Sequence, residues 1–413
     1  MFFRCVVTVL LVASAQAGSA EEALNLQTLI DEALRDNHEV LMAESKWKAA
    51  SHRVRQAGSL PDPMVMAGYQ NEGWREYTFG EMEGAQWMYS LSQMFPFPGK
   101  RSLKAEMAAR DGEAAEAAYF AVRLRTVETV KSLYYDLFLA YRDIDIIRDT
   151  MTLFSRVEDA ALARYASGMA PQQEVLMAQA EKYMLLERET MLGQKLQATE
   201  AMLNAAVGRP AASPLARPAE PPATSFPYTV EELTGRALER SPEIRSREKM
   251  REAAEANVGM ARKEFFPDVT LAASVFKRSG EFEDMWSVTA TFNIPLYFRA
   301  KQSAVAEARS RSSETVHDFE GTRLMVAAGI RDSHSMMKTA EKLLELYKQG
   351  LIPKTLQDFE SAIAGYRAGK VEAITVISRL KTLLDYETLY WRQFVEREKA
   401  IARLEALTGG GSL

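Results

Sequence analysis

The feature that most constrains this chain is a junction that occurs twice. The first copy runs Trp87-Met-Tyr-Ser-Leu-Ser-Gln-Met-Phe95-Pro96-Phe-Pro98-Gly99-Lys100-Arg101. The second runs Trp286-Ser-Val-Thr-Ala-Thr-Phe-Asn-Ile294-Pro295-Leu-Tyr-Phe298-Arg299-Ala-Lys301. Each opens with strict alternation. Trp87, Tyr89 and Leu91 oppose Met88, Ser90 and Ser92, and Trp286, Val288, Ala290, Phe292 and Ile294 oppose Ser287, Thr289, Thr291 and Asn293. Period two predicts a strand with one apolar and one polar face. Proline, lacking an N–H, then stops the ladder. Such a strand suits a barrel wall between lipid and water, and it equally suits a half-buried strand of a soluble sheet.

Each junction leads into a helical pattern of unusual length. Between Lys100 and about Ser167 there is no proline and only one glycine, Gly112. Apolar residues recur at Val127, Val130, Tyr134, Leu137, Tyr141, Ile144, Ile147, Met151 and Phe154, a spacing close to a heptad. A helix of that length spans roughly 100 Å, far beyond a globular core, and predicts a coiled-coil assembly. Gly168 and Pro171 make a turn, and a return helix runs to about Val207. In the second half a long helix is expected from Ala300 to about Ala368, kinked or restarted at Pro353. Ahead of the first strand a single helix is expected from Leu24 to Ala57.

The halves echo each other in order. Leu60-Pro61-Asp62 recurs as Phe266-Pro267-Asp268, Tyr165-Ala-Ser-Gly168 as Tyr366-Arg-Ala-Gly369, and Leu203-Asn-Ala-Ala-Val-Gly208 as Leu404-Glu-Ala-Leu-Thr-Gly409. The chain reads as an internal duplication. The first repeat covers 18–208 with a β-hairpin at 62–96, and the second covers 229–413 with a hairpin at 267–295. Between them lies a proline-rich connector, 209–228, expected to be extended, with disorder as the alternative.

Of 413 residues, the only cysteine is Cys5. It lies in an N-terminal segment with Arg4, an apolar run to Ala13 and Ala15-Gln16-Ala17, which predicts a signal peptide over 1–17. No later apolar stretch reaches the ~18 residues that a spanning helix needs. The net charge of −5, without a basic run, gives no sign of a nucleic-acid partner.

Two strands per repeat make four per chain, too few to close a barrel, since single-chain outer-membrane barrels start at about eight. Open edges in lipid leave backbone groups unsatisfied at several kcal/mol each. If these strands sit in lipid, several chains share one barrel. Three chains supply twelve strands and an equal number of helical staves.

The duplicated plan resembles the TolC-like outer-membrane efflux protein family. The resemblance rests on Leu60-Pro-Asp-Pro63, Phe95 to Arg101, Phe266-Pro-Asp268, Asn293-Ile-Pro-Leu296 and the two Tyr-x-x-Gly turns, and it covers nearly the whole chain after the leader. The Phe95–Arg101 form resembles branches associated with heavy-metal efflux. The resemblance implies a mainly α fold with a small β part: a homotrimer with a twelve-stranded outer-membrane β-barrel continued by a long periplasmic α-helical barrel. It implies an equatorial region at the connector. It implies a passive exit channel of a tripartite efflux system of Gram-negative bacteria, with a periplasmic adaptor (membrane fusion protein), an inner-membrane transporter and outer-membrane lipid as partners. The alternatives are an exit duct for type I protein secretion and a soluble periplasmic coiled-coil adaptor.

No catalytic constellation stands out. The four histidines are scattered, so neither an enzyme nor a cofactor is expected. Soft-metal candidates are Met64 and Met66 on one strand face, and His334 with Met337 on a helix. Trp87 and Trp286 suit an aromatic girdle. The loops at 72–85 and 277–285 are expected outside the cell, with the turns at 165–171 and 366–372 at the opposite, periplasmic end. That tip, with Tyr165, Gly168, Tyr366 and Gly369, is the expected gate and adaptor contact. Glu174 resembles the family's acidic entrance position. Glu372 is expected as its counterpart, with Thr375 and Ser378 standing where the family carries further aspartates.

Overall fold

A computed structural model describes residues 24–410. The leader expected at 1–17 and the last residues, 411–413, lie outside the described residues. The first repeat runs α1 (Leu26–Asp36), α2 (His38–Gly58), β1 (Met64–Gln70), β2 (Gln86–Phe95), α3 (Lys100–Ala166) and α4 (Gln172–Val207). The second runs α5 (Val230–Arg240), α6 (Pro242–Lys263), β3 (Val269–Lys277), β4 (Met285–Phe292), α7 (Phe298–Leu346), a π-helical turn (Tyr347–Leu351), α8 (Ile352–Arg367) and α9 (Ala373–Leu407).

The helix α3 is continuous over 67 residues, as its lack of helix breakers predicts. Val130, Leu137, Ile147 and Phe154 of its heptad face are fully buried, so packing and not local propensity holds this length. The expected interruption at Pro353 is a wide π-helical turn just before it. Proline has no N–H to donate to the carbonyl one turn back, and a single widened turn absorbs that loss without ending the rod.

The single helix expected over 24–57 is a correction: it is two helices broken at Asn37. The Asn37 side chain accepts from the Glu39 and Val40 N–H groups, at 2.8 and 3.2 Å, and donates to the Ala206 carbonyl at 2.8 Å. Asparagine caps a helix better than it continues one. The second repeat breaks in the same place, at Ser241-Pro242. These breaks explain the echo at Gly208 and Gly409. Both glycines adopt positive φ, +87° and +100°, and a Cβ on either would stand 2.7 Å from a carbonyl oxygen, that of Asp36 or Arg240. Only glycine ends the return helix while resting against the break.

The connector is ordered. Leu24 N–H donates to the Arg217 carbonyl at 3.1 Å, Arg217 pairs with Asp145, and Arg209 bonds Glu32 at 2.6 Å. On the second repeat, Arg397 donates to the Thr224 carbonyl at 2.7 Å while Glu398 accepts the Thr224 N–H at 3.2 Å. Phe226 is buried beside Leu233 and Ile330. The prolines keep the strap extended, and side-chain bonds from the helices replace the missing backbone ladder.

All four strands form one antiparallel sheet in the order β1-β2-β3-β4. The two hairpins are joined through β2–β3, from Trp87↔Lys277 to Phe95↔Val269. Among the described residues β1 and β4 are left as unpaired edges.

Candidate functional site

Cross-strand pairing decides which residues share a face. Val65, Leu91 and Ala273 stand in one row, with Ala67, Tyr89 and Val275 beside them, and Trp286 and Val288 continue that face on β4. The opposite face carries Met66, Ser90, Ser274 and Ser287 in one row, and Met64, Ser92, Ala272 and Thr289 in the next. The wall therefore has an aliphatic and aromatic side and a side of hydroxyls and thioethers. The Tyr69 and Trp87 rings meet at a tilt, 5.2 Å between centroids, at the loop end of the apolar face, and Trp286 lies at the same end of β4. The two loops meet there: Gly280 rests against Gly80, and Arg278 pairs with Glu83 at 3.5 Å.

At the other end of the sheet, strand turns into stave. Lys100 begins α3 and is almost wholly buried. Its ammonium donates to Asp268 Oδ1 at 2.9 Å and to the Phe266 carbonyl at 3.1 Å, and lies 3.7 Å from Glu264. Asp268 also accepts the Phe97 N–H at 2.7 Å. Burial alone would raise the Asp268 carboxyl, but the Lys100 and Phe97 hydrogen bonds hold it below the usual range. Phe97 stacks on Phe266 at 4.5 Å. The Phe-Pro-Phe-Pro-Gly-Lys segment of one repeat is thus clamped to the Phe-Pro-Asp of the other. The residues themselves stand out in the sequence as punctuation. Their pairing does not, because nothing local brings positions 168 apart together.

The tip turns are alike in both repeats. Gly168 and Gly369 have φ of +71° and +72°. The Met169 N–H bonds the Arg164 carbonyl at 2.9 Å, and the Lys370 N–H bonds the Gly365 carbonyl at 2.8 Å. Pro171 belongs to the turn, as expected, and sits one residue ahead of α4 at its N-cap position. The two tyrosines of the echo diverge. Tyr165 is exposed, whereas Tyr366 is fully buried, and its hydroxyl donates to Glu174 Oε2 at 2.7 Å. Arg164 lies over the Tyr366 ring at 4.5 Å and donates to its carbonyl at 2.8 Å. Burial and the Glu174 carboxylate push the Tyr366 hydroxyl far up, so it remains a donor. Glu174 therefore sits in a latch between the repeats, which the sequence does not suggest. Glu372 is not its structural counterpart: it stands at the N-cap position of α9, as Pro171 does for α4, and Thr375 holds the position equivalent to Glu174.

The soft-metal candidates separate. Met64 and Met66 are exposed on the hydroxyl face. Met337, in contrast, is buried in the core with Ile330 and Leu404. His334 Nε2 lies 3.2 Å from the Tyr228 carbonyl, so His334 and Met337 serve packing and connector attachment. No cluster of three or more His, Cys, Asp or Glu suited to a metal occurs among the described residues. No helix among the described residues is long and apolar enough to cross a membrane.

Comparison with known proteins fits this geometry. A family described as "Outer membrane efflux protein" matches residues 29–209 and again 233–410. Over 399 residues the chain is 24% identical to the probable outer membrane lipoprotein SilC of Salmonella typhimurium, across 92% of this chain and 85% of that protein. It is 21% identical over 393 residues to the cobalt-zinc-cadmium resistance protein CzcC of Cupriavidus metallidurans, across 94% and 90%. The fold is similar to solved CusC, with a TM-score of 0.82 at 19% identity over 94% of this chain and 92% of the other. It is also similar to the outer membrane protein VceC of Vibrio cholerae, with a TM-score of 0.80 at 22% identity over 94% and 96%. With one family matched on both repeats, the chain belongs to the outer membrane efflux proteins.

Proposed function

We propose that three copies of this chain form a passive exit duct, a twelve-stranded barrel in the outer membrane continued by a periplasmic helical tube. One observation carries this reading: a four-stranded sheet, apolar on one face and hydroxyl-rich on the other, ends in two unpaired edges and runs directly into 67-residue staves. Lipid tolerates no such edges, so closure needs further copies. The apolar face meets lipid, with Trp87 and Trp286 at the interface as a girdle, and the hydroxyl face lines the lumen. The tip receives cargo from a periplasmic adaptor and an inner-membrane transporter, with Tyr165 exposed for that contact and the Tyr366–Glu174 latch closing the entrance. Cations are the cargo we favour, because two of the similar proteins are named for cation efflux or resistance.

Fractionation and then native mass measurement test the duct. The protein is expected in the outer membrane as an SDS-resistant trimer, and a soluble periplasmic monomer overturns the reading. Deleting the gene is expected to sensitise cells to cobalt, zinc, cadmium or nickel salts. Unchanged tolerance to all of these, with altered drug tolerance, overturns the choice of cargo alone.

A further inference from the structure

The duplication supplies a template for the contact that its own edges make. β2 and β3 belong to different repeats, yet they pair edge to edge within one chain. In sequence, Trp87 and Pro96 correspond to Trp286 and Pro295, which maps β2 onto β4. Pro61 and Asp62 correspond to Pro267 and Asp268, which maps β1 onto β3. The structure supports both mappings together: carried across, the pair Val65↔Leu91 becomes Leu271↔Ala290, the pair observed in the second hairpin. The same mapping turns the β2–β3 interface into one between β4 and a further β1. Leu91↔Ala273 then becomes Ala290 opposite Ala67, Gln93↔Leu271 becomes Phe292 opposite Val65, and Tyr89↔Val275 becomes Val288 opposite Tyr69.

In the duct β4 meets β1 of a second copy of this chain; we propose that this seam takes the register carried across from β2–β3 and is locked by an ion pair between Arg299 and Asp62 of the partner subunit. This seam rests on the trimeric duct of the proposed function. The faces agree: Val288, Ala290 and Phe292 lie on the apolar side of β4, and Val65, Ala67 and Tyr69 lie on the apolar side of β1. A slip of one residue would turn one strand's apolar face to the lumen. A slip of two keeps the faces but moves the lock about 7 Å out of line. Arg299 corresponds to Lys100 and Asp62 to Asp268, the partners of the clamp inside the chain. Within one chain both Arg299 and Asp62 are exposed, and neither has a hydrogen bond or ion pair among the described residues. The Leu296 N–H takes the place of the Phe97 N–H that Asp268 accepts. The lock is thus the intrachain clamp repeated between chains, with each half waiting on an edge.

Cysteine cross-linking in membranes tests the register, in a Cys5→Ser background that removes the only native thiol. Directly opposed strand residues lie within disulfide reach, while diagonal ones at about 7–8 Å do not. The pair Ala290→Cys with Ala67→Cys is expected to give covalent dimers and trimers on oxidation. Ala290→Cys with Val65→Cys, or with Tyr69→Cys, is expected to give none. Leu91→Cys with Ala273→Cys, the equivalent pair within the chain, reports that oxidation works. Cross-linking at 65 or 69 in place of 67, or none at 67 while the internal pair links, overturns the register. Native mass measurement of the unoxidised protein separates this from failure of the duct: no trimer sinks the duct, whereas a trimer with the wrong cross-link sinks only the seam. For the lock, Arg299→Asp and Asp62→Arg are each expected to lower the temperature at which the SDS-resistant trimer dissociates. The combined swap is expected to recover most of that loss. A swap no better than the two losses together overturns the lock.

Discussion

At the scale of residues, two of the contacts that join the repeats, Lys100 with Asp268 and Tyr366 with Glu174, each have their own test. Lys100 is buried against Asp268, with Glu264 more distant. Removing one partner of a buried pair leaves an uncompensated charge, so Asp268→Asn is expected to destabilise the protein by about 3 kcal/mol. Far-UV circular dichroism should show a lower melting temperature. The effect has a pH signature. Folding depresses the Asp268 carboxyl below its model-peptide value of 3.8, so its stabilisation is fully present above that value and is lost as pH falls through the lower folded value. The melting temperatures of the two proteins are expected to converge in strong acid. At the tip, Tyr366→Phe removes the donor that holds Glu174, a charge-assisted bond worth roughly 1.5–3 kcal/mol. Higher conductance in planar bilayers is expected, with the trimer intact. Glu174→Gln is expected to weaken cation preference, most at low ionic strength, where exposed charge is least screened. Unchanged selectivity would leave Glu174 with a structural role alone.

Among the elements, the long helices are the most legible. A run free of proline with a sustained heptad face admits few readings, and α3 has the length its sequence predicts. The breaks at Asn37 and Ser241 are hidden because apolar residues continue at helical spacing on both sides. The capping side chain of Asn37 marks the first, and Pro242, at the start of α6, marks the second. Asn37→Ala removes bonds to Glu39, Val40 and Ala206, and a loss of about 1–2 kcal/mol is expected by denaturant unfolding. The same capping residue sets the angle at which α1 leaves α2, and so seats Gly208 against Asp36. Glu372 misleads for a related reason: residue type suggests the match with Glu174, whereas helix register selects Thr375.

At the scale of the whole molecule, the strand loops and the helix tips stand at opposite ends of rods roughly 100 Å long. This fixes a topology that cysteine labelling can read. An impermeant thiol reagent on intact cells is expected to label Glu81→Cys in the first loop and to leave Ser167→Cys untouched until the outer membrane is permeabilised. Both side chains are exposed within the chain, so protection of Ser167→Cys would report its compartment. Labelling of Ser167→Cys on intact cells would reverse the orientation.

The architecture's parts are legible in the amino-acid order alone: the duplication, the alternating strands, the length of the staves and the turns at the tips. Each is written in a short-range pattern, either a period of two or three to four residues or a proline or glycine whose backbone limits act locally. Which parts meet emerges only from the folded chain. The connector's order comes from Arg397 and Glu398 reaching Thr224. The join of the two hairpins comes from β2 pairing with β3, and the clamps come from Lys100 finding Asp268 and Tyr366 finding Glu174. These contacts join residues far apart in the chain, and a buried polar group takes the partner that packing places beside it, which no local pattern encodes.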